Sequence, residues 1–210
     1  MSGQVGTFLA NIGSQQLELP VTTLSPDLAV ALLITADLEL KVISKAAQEL
    51  VLALQDSPID IVVTAATMGI PLAIEVTRTL QLDRYLVLHK TPKTYLQDAL
   101  TEDVKSITTD KIQTLRLDAA RIKDVKNKSV VFIDDVISTG QSAAAALRLL
   151  AKAGANITAI GALATENGNY REVLGDYANC IKTLGSLPIF TPKKYIENGA
   201  EITKWEPIYE

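Results

Sequence analysis

Four apolar residues, Val130, Val131, Phe132 and Ile133, run directly into two carboxylates, Asp134 and Asp135; Val136, Ile137, Ser138, Thr139, Gly140, Gln141 and Ser142 follow. This order constrains the fold more than anything else in the chain. A continuous apolar run suits a strand covered on both faces, as in a parallel sheet flanked by helices. The acids then fall at the C-terminal end of that strand, where ligands bind in open α/β sheets. Ser138, Thr139 and Gly140 suit a tight turn, with Gly140 able to take positive φ. Ser142 is the expected N-cap of an alanine-rich helix running from 143 to about 153. Free backbone N–H groups at a helix start, with the positive end of the helix dipole, favour an anion. A ligand with vicinal hydroxyls and a phosphate would satisfy both acids and loop, and ribose 5-phosphate is one. An ordinary connection with solvated acids is the alternative; the completeness of the pattern argues against it.

The rest of the chain alternates strand and helix patterns. Residues 15–22 alternate like a strand, and Pro20 places it at a sheet edge. Ser25, Pro26 and Asp27 look like a helix start. Residues 37–55 carry helical periodicity, with Leu40, Ile43, Ala47, Leu50 and Leu54 on one side. Strands are expected at 59–64, 85–89, 112–117, 156–164 and 180–184, and helices at 69–80 and 171–177. The expected fold is α/β: a mainly parallel twisted sheet with helices on both faces. Residues 1–34 and 186–210 are expected to form a small cap around a core of about 35–185. The polar stretch 91–111 has no clear element and is expected to be a mobile lid.

Composition narrows the function. The chain has 210 residues, room for one well-cored domain spanning 1–210. A net charge of −4 argues against a general nucleic-acid surface. One cysteine, Cys180, excludes an internal disulfide, and with a single histidine it leaves no ordinary zinc set. Cys180 is expected in a strand as a buried thiol. No signal peptide or membrane-length apolar stretch is recognised, so a cytoplasmic protein without a membrane partner is expected. No Gly-x-Gly-x-x-Gly follows an early strand and no Gly-Lys-Ser/Thr loop is present, which disfavours dehydrogenase and kinase readings.

At residues 131–140 the chain resembles the type I phosphoribosyltransferases, whose signature is a hydrophobic strand, an acid pair and a small-residue loop before a helix. The resemblance covers roughly 35–190 and implies that fold, with the cap as its hood. It implies that Asp134 and Asp135 are catalytic, binding the ribose hydroxyls of phosphoribosyl pyrophosphate (PRPP). Val136, Ile137, Ser138, Thr139, Gly140, Gln141 and Ser142 would then hold the 5-phosphate. Ala66, Thr67, Met68 and Gly69 stand where the family has its pyrophosphate loop, though the usual basic side chain is missing. Lys90 and Lys93 are the candidates to neutralise pyrophosphate. His89 stands where arginine is common, and a partly buried strand residue is the favoured reading for it. Ile137, Leu163 and Glu166 are the candidates for the base, with Asn167 beside them. Tyr95, Lys105 and Lys111 lie in the lid segment.

The function this implies is transfer of ribose 5-phosphate from PRPP to a purine nucleobase, with release of pyrophosphate, in nucleotide salvage. Adenine is slightly favoured over xanthine, guanine and hypoxanthine. Mg²⁺ is expected to arrive with PRPP, no residue is assigned as a dedicated metal ligand, and a homodimer is expected. The competing reading is a PRPP-binding regulator with little or no catalysis, which the altered 66–68 loop favours. No helix-turn-helix is recognised ahead of the domain.

Overall fold

The computed structural model describes residues 3–94, 98–104, 113–166, 169–198 and 200–209. In chain order the elements are β1 (Gln4–Ile12), β2 (Gln15–Ser25), β3 (Leu28–Ala31), α1 (Leu40–Ala53), β4 (Ile61–Ala65), α2 (Gly69–Thr79) and β5 (Tyr85–Leu88). They continue with β6 (Leu100–Val104), β7 (Gln113–Leu117), α3 (Ile122–Val125), β8 (Ser129–Ile137), α4 (Gln141–Lys152) and β9 (Asn156–Glu166). The last are α5 (Tyr170–Leu174), β10 (Ile181–Leu187), β11 (Ile189–Glu197) and β12 (Ala200–Ile208).

Five strands form the core sheet in the order β10-β9-β8-β4-β5, every neighbouring pair parallel. The apolar run of β8 explains its central place. Val130 and Phe132 pack into the cluster under α4, with Leu147 and Ile160. Val131 and Ile133 point to the opposite face, against Leu50 of α1 and Leu72 of α2. Side chains alternate across a strand, so an uninterrupted apolar run needs cover on both faces, and helices supply it here. The chain moves outward from β4 to β5 in one direction and from β8 to β9 and β10 in the other. The β4–β8 boundary is therefore the topological switch point, and the crevice beyond its strand ends is the place for a ligand.

The second sheet is antiparallel, β1-β2-β3-β11-β12, and draws on both ends of the chain. Ile189 pairs with Val30 and Phe190 with Ala29. Its inner side chains, among them Ile12, Leu19, Val21 and Phe190, join the cluster around α1 and α2. Phe8 meets Phe190 edge to face at 5.6 Å. Glu49 of α1 accepts hydrogen bonds from the Ser14 N–H at 3.0 Å and the Ser14 hydroxyl at 2.5 Å, pinning the β1–β2 turn to the core. This sheet is the hood of the fold.

Several expectations are corrected. β2 is an inner strand despite Pro20, because its ladder with the short β3 ends at that point. Pro20 accepts from the Leu32 N–H at 2.9 Å and lacks the donor that would return the bond. Ser25, Pro26 and Asp27 make a hairpin turn, with the Asp27 N–H donating to Ser25 Oγ at 3.3 Å; the same residue types serve helix starts and turns. Leu40 is 80% exposed and does not belong to the buried side of α1. Cys180 lies in a 3₁₀ turn, half-buried, just before β10. Within the 91–111 stretch, β6 pairs antiparallel with β7. Tyr95, Lys105, Lys111 and Asn167 lie outside the described residues. No helix among the described residues is long and apolar enough to cross a membrane.

Candidate active site

β8 continues beyond its buried run. Its ladder with β4 stops at Thr64–Ile133, whereas its ladder with β9 runs on to Thr165–Ile137. Asp134 and Asp135 therefore sit on a strand whose β4 side has opened. The opening is a cleft of about 200 Å³, lined by residues 65–68, Lys90 and residues 134–143. Both proposed acids, the whole 136–142 loop, Ala66, Thr67, Met68 and Lys90 share this one cavity.

Two glycines shape its walls. Gly140 takes φ 76° and caps α4, the position expected for Ser142. The chain must turn left-handed there, and a side chain would stand 3.1–3.3 Å from Tyr170. The first turn of α4 thus faces the cleft. On the other wall the Ala66–Thr67 peptide is cis, and α2 starts at Gly69. Gly69 lets α2 approach β8 closely: a Cβ there would lie 2.3 Å from Thr64 Oγ1 and 3.0 Å from Asp134 Oδ1.

The electrostatics centre on Asp134. Burial first, and then the adjacent Asp135, raise its carboxyl well above the ordinary carboxylate range; Lys90 opposes this. The Asp135 N–H donates to Asp134 Oδ1 at 3.1 Å. A carboxyl whose folded pKa exceeds its unfolded pKa stabilises the fold fully below the unfolded pKa. That contribution disappears as pH rises through the folded pKa. Asp134→Asn is therefore expected to raise the melting temperature of the ligand-free protein, by an increment that grows as pH rises above the ordinary carboxylate range. A pH series of thermal melts checks it; an increment that shrinks with pH would show the sign to be wrong.

Other candidate residues fall elsewhere. Lys93 is exposed and outside the lining of the cleft. Ile137 and Leu163 are both buried, but in clusters on opposite faces of the sheet, and Leu163 does not line the cleft. Glu166 accepts a hydrogen bond from the Ser138 hydroxyl at 2.5 Å, which ties it to the loop after β8. Burial pushes its carboxyl up, and the Ser138 bond opposes the shift. His89 is half-buried, and its pKa is lowered by burial and then by Lys93, with Asp118 opposing. Its backbone pairs with Arg116. Sequence reading passed over Arg116, whose Nη1 donates to the Lys90 carbonyl at 3.1 Å and the Thr114 carbonyl at 2.8 Å, bracing the residue before the cleft.

No cluster of three or more His, Cys, Asp or Glu side chains suited to a metal occurs among the described residues. Two adjacent carboxylates facing a cleft fit a hard cation that completes its shell with substrate oxygens, the usual habit of Mg²⁺.

The family model described as "Phosphoribosyl transferase domain" matches residues 33–191. The hypoxanthine/guanine phosphoribosyltransferase of Methanothermococcus okinawensis is 31% identical over 146 residues, covering 70% of this chain and 75% of that protein. The purine biosynthesis transcriptional repressor PurR of Bacillus subtilis is 27% identical over 158 residues, covering 75% of this chain. The chain spans 54% of the length of that repressor. Among solved structures, the adenine phosphoribosyltransferase of Thermoanaerobacter pseudethanolicus aligns with TM-score 0.60 at 19% identity, covering 70% of this chain and 81% of that one. The enzyme from Giardia lamblia, complexed with 9-deazaadenine, aligns with TM-score 0.60 at 20% identity, covering 86% and 93%. At these identities the structural likeness shows the fold.

Proposed function

The chain belongs to the phosphoribosyltransferase family, and we propose that it transfers ribose 5-phosphate from PRPP to a purine nucleobase, adenine being slightly favoured. The observation that carries this reading is the single cleft at the switch point, which joins two carboxylates to two anion-suited loops. In the reaction a ring nitrogen of the base bonds to C1 of the ribose as the bond from C1 to pyrophosphate breaks. Each of the three parts of PRPP then has a partner in the cleft.

Asp134 and Asp135 hold the ribose hydroxyls and place negative charge beside C1, where positive charge develops. Asp135 is also a candidate to exchange a proton with the base. The 136–142 loop and the first turn of α4 offer backbone N–H groups and hydroxyls to the 5-phosphate. The 66–69 turn and Lys90 receive the departing pyrophosphate. Mg²⁺, held by Asp134, Asp135 and the substrate, would neutralise charge on the pyrophosphate. A cytoplasmic setting and a homodimer complete the proposal. The lean to adenine is supported by a 48-residue stretch that is 50% identical to the adenine phosphoribosyltransferase of Mycolicibacterium smegmatis, while the relative at 31% identity is named for hypoxanthine and guanine.

The test is to incubate the protein with PRPP, Mg²⁺ and each nucleobase separately, measuring nucleotide and pyrophosphate. Turnover with one base supports the enzyme reading and identifies the substrate. A second reading, a PRPP-binding regulator, is supported by the repressor among the relatives and by a 66–68 loop without a cationic side chain. PRPP binding without turnover on any base would favour it. Lys90→Ala is expected to weaken binding of PRPP and pyrophosphate roughly ten- to hundredfold while leaving the KM for the base unchanged. Calorimetry and saturation kinetics check this, and equal losses for all three ligands would remove Lys90 from the pyrophosphate subsite.

A further inference from the structure

The 66–69 turn is built from Ala66, Thr67, Met68 and Gly69 and carries no charge of its own. What it offers an anion must come from its backbone N–H groups and the Thr67 hydroxyl. Backbone donors serve an anion best when their peptide planes are held in place before it arrives.

One side chain outside the cleft does this for the last peptide of the turn. Thr35 is fully buried, and its hydroxyl donates to the carbonyl oxygen of Met68. Thr35 opens the 3₁₀ turn Thr35–Asp37, just after β3 leaves the hood. The C=O and N–H of a planar trans peptide point in opposite directions. With the Met68 oxygen anchored on Thr35, the Gly69 N–H points away from Thr35; Met68 lines the cleft and Gly69 is the next residue along the turn. A Cβ at Gly69 would meet Thr64, Asp134 and the Ile133 carbonyl, so α2 begins close against β8.

We propose that Thr35 is a positioning residue for the pyrophosphate subsite: its buried hydroxyl fixes the Met68–Gly69 peptide so that the N–H is presented to the anion. The proposal rests on the phosphoribosyltransferase reading above. It also gives the hood a direct mechanical link to the turn that receives the leaving group.

The experiment uses the full chain and two probes in the presence of Mg²⁺, pyrophosphate and ribose 5-phosphate, each titrated separately by calorimetry. Thr35→Val keeps the shape and removes the hydroxyl; Thr35→Ser keeps the hydroxyl. The valine variant is expected to bind pyrophosphate at least about tenfold more weakly, the scale of one lost buried hydrogen bond. Its affinity for ribose 5-phosphate should match the wild type, because that ligand uses the loop after β8. The serine variant should restore pyrophosphate binding. If the valine variant does not fold, Thr35→Cys replaces it, with a weaker donor in a similar volume, and the same split between the probes is expected. Where the wild type binds both probes, equal weakening of both in the valine variant, or its unchanged pyrophosphate binding, overturns the role of Thr35 alone. A wild type that binds neither probe overturns the phosphoribosyltransferase reading and this inference with it.

Discussion

Replacing Asp134 and Asp135 together by alanine is expected to lower turnover of PRPP by at least about a thousandfold, since a single group that stabilises developing charge is commonly worth a hundred- to a thousandfold. The fold should survive. Both side chains lie beyond the apolar run of β8 and line the cleft, and the β9 ladder past them is made by backbone groups. The melting temperature should not fall, because the substitution removes a buried carboxyl held beside a like charge. Kinetics with PRPP and the best base, together with a thermal melt, check both halves. Near-normal turnover in a folded double variant would sink the assignment of the cleft.

Gly69→Ala is expected to have the next largest effect, on stability and activity together. The new methyl would lie 2.3 Å from Thr64 Oγ1, 3.0 Å from Asp134 Oδ1 and 3.1 Å from the Ile133 carbonyl. Thr64 is fully buried and the Ile133 carbonyl belongs to the central strand, so the strain must be shared by α2 and Asp134. Overpacking of this kind costs about 1–3 kcal/mol. Displacing Asp134 should also reduce kcat/KM for PRPP about tenfold or more, because reacting groups tolerate little misplacement. Gly6→Ala, at a glycine with nothing within 4 Å, is the control and should change neither quantity. Equal behaviour of the two variants in melts and kinetics would show that α2 does not need its close approach to β8.

The central sheet was legible because its chemistry is local. An uninterrupted apolar run can be satisfied by cover on both faces, and an acid pair followed by small residues marks the end of such a strand. The features that were missed depend on partners distant in sequence. Leu100, Thr101, Glu102, Asp103 and Val104 look like a polar loop. Yet Glu102 is held by Arg148 at 2.7 Å and Lys152 at 2.5 Å, both on α4, and these contacts fasten β6 against that helix. Ser25, Pro26 and Asp27 carry signals common to helix starts and turns, and the pairing of β2 with β3 decides between them. The base candidates show the same limit: reading residue types along β8 and β9 does not reveal that Ile137 and Leu163 face opposite sides of the sheet. Likewise, only the folded chain brings Glu166 to Ser138 and Thr35 to Met68.

The hood has a consequence for how the chain assembles. The pairing of Val30 with Ile189 and of Ala29 with Phe190 joins segments roughly 160 residues apart, and contacts of such separation carry a large loop-closure entropy. During synthesis the β1–β2–β3 meander emerges before the parallel core but can pair with β11 only after that core has been made. Its inner residues, Ile12, Leu19 and Val21, gain their cover from α1 and α2 in the meantime. The edge of β3 therefore stays open to wrong partners until β11 has been made.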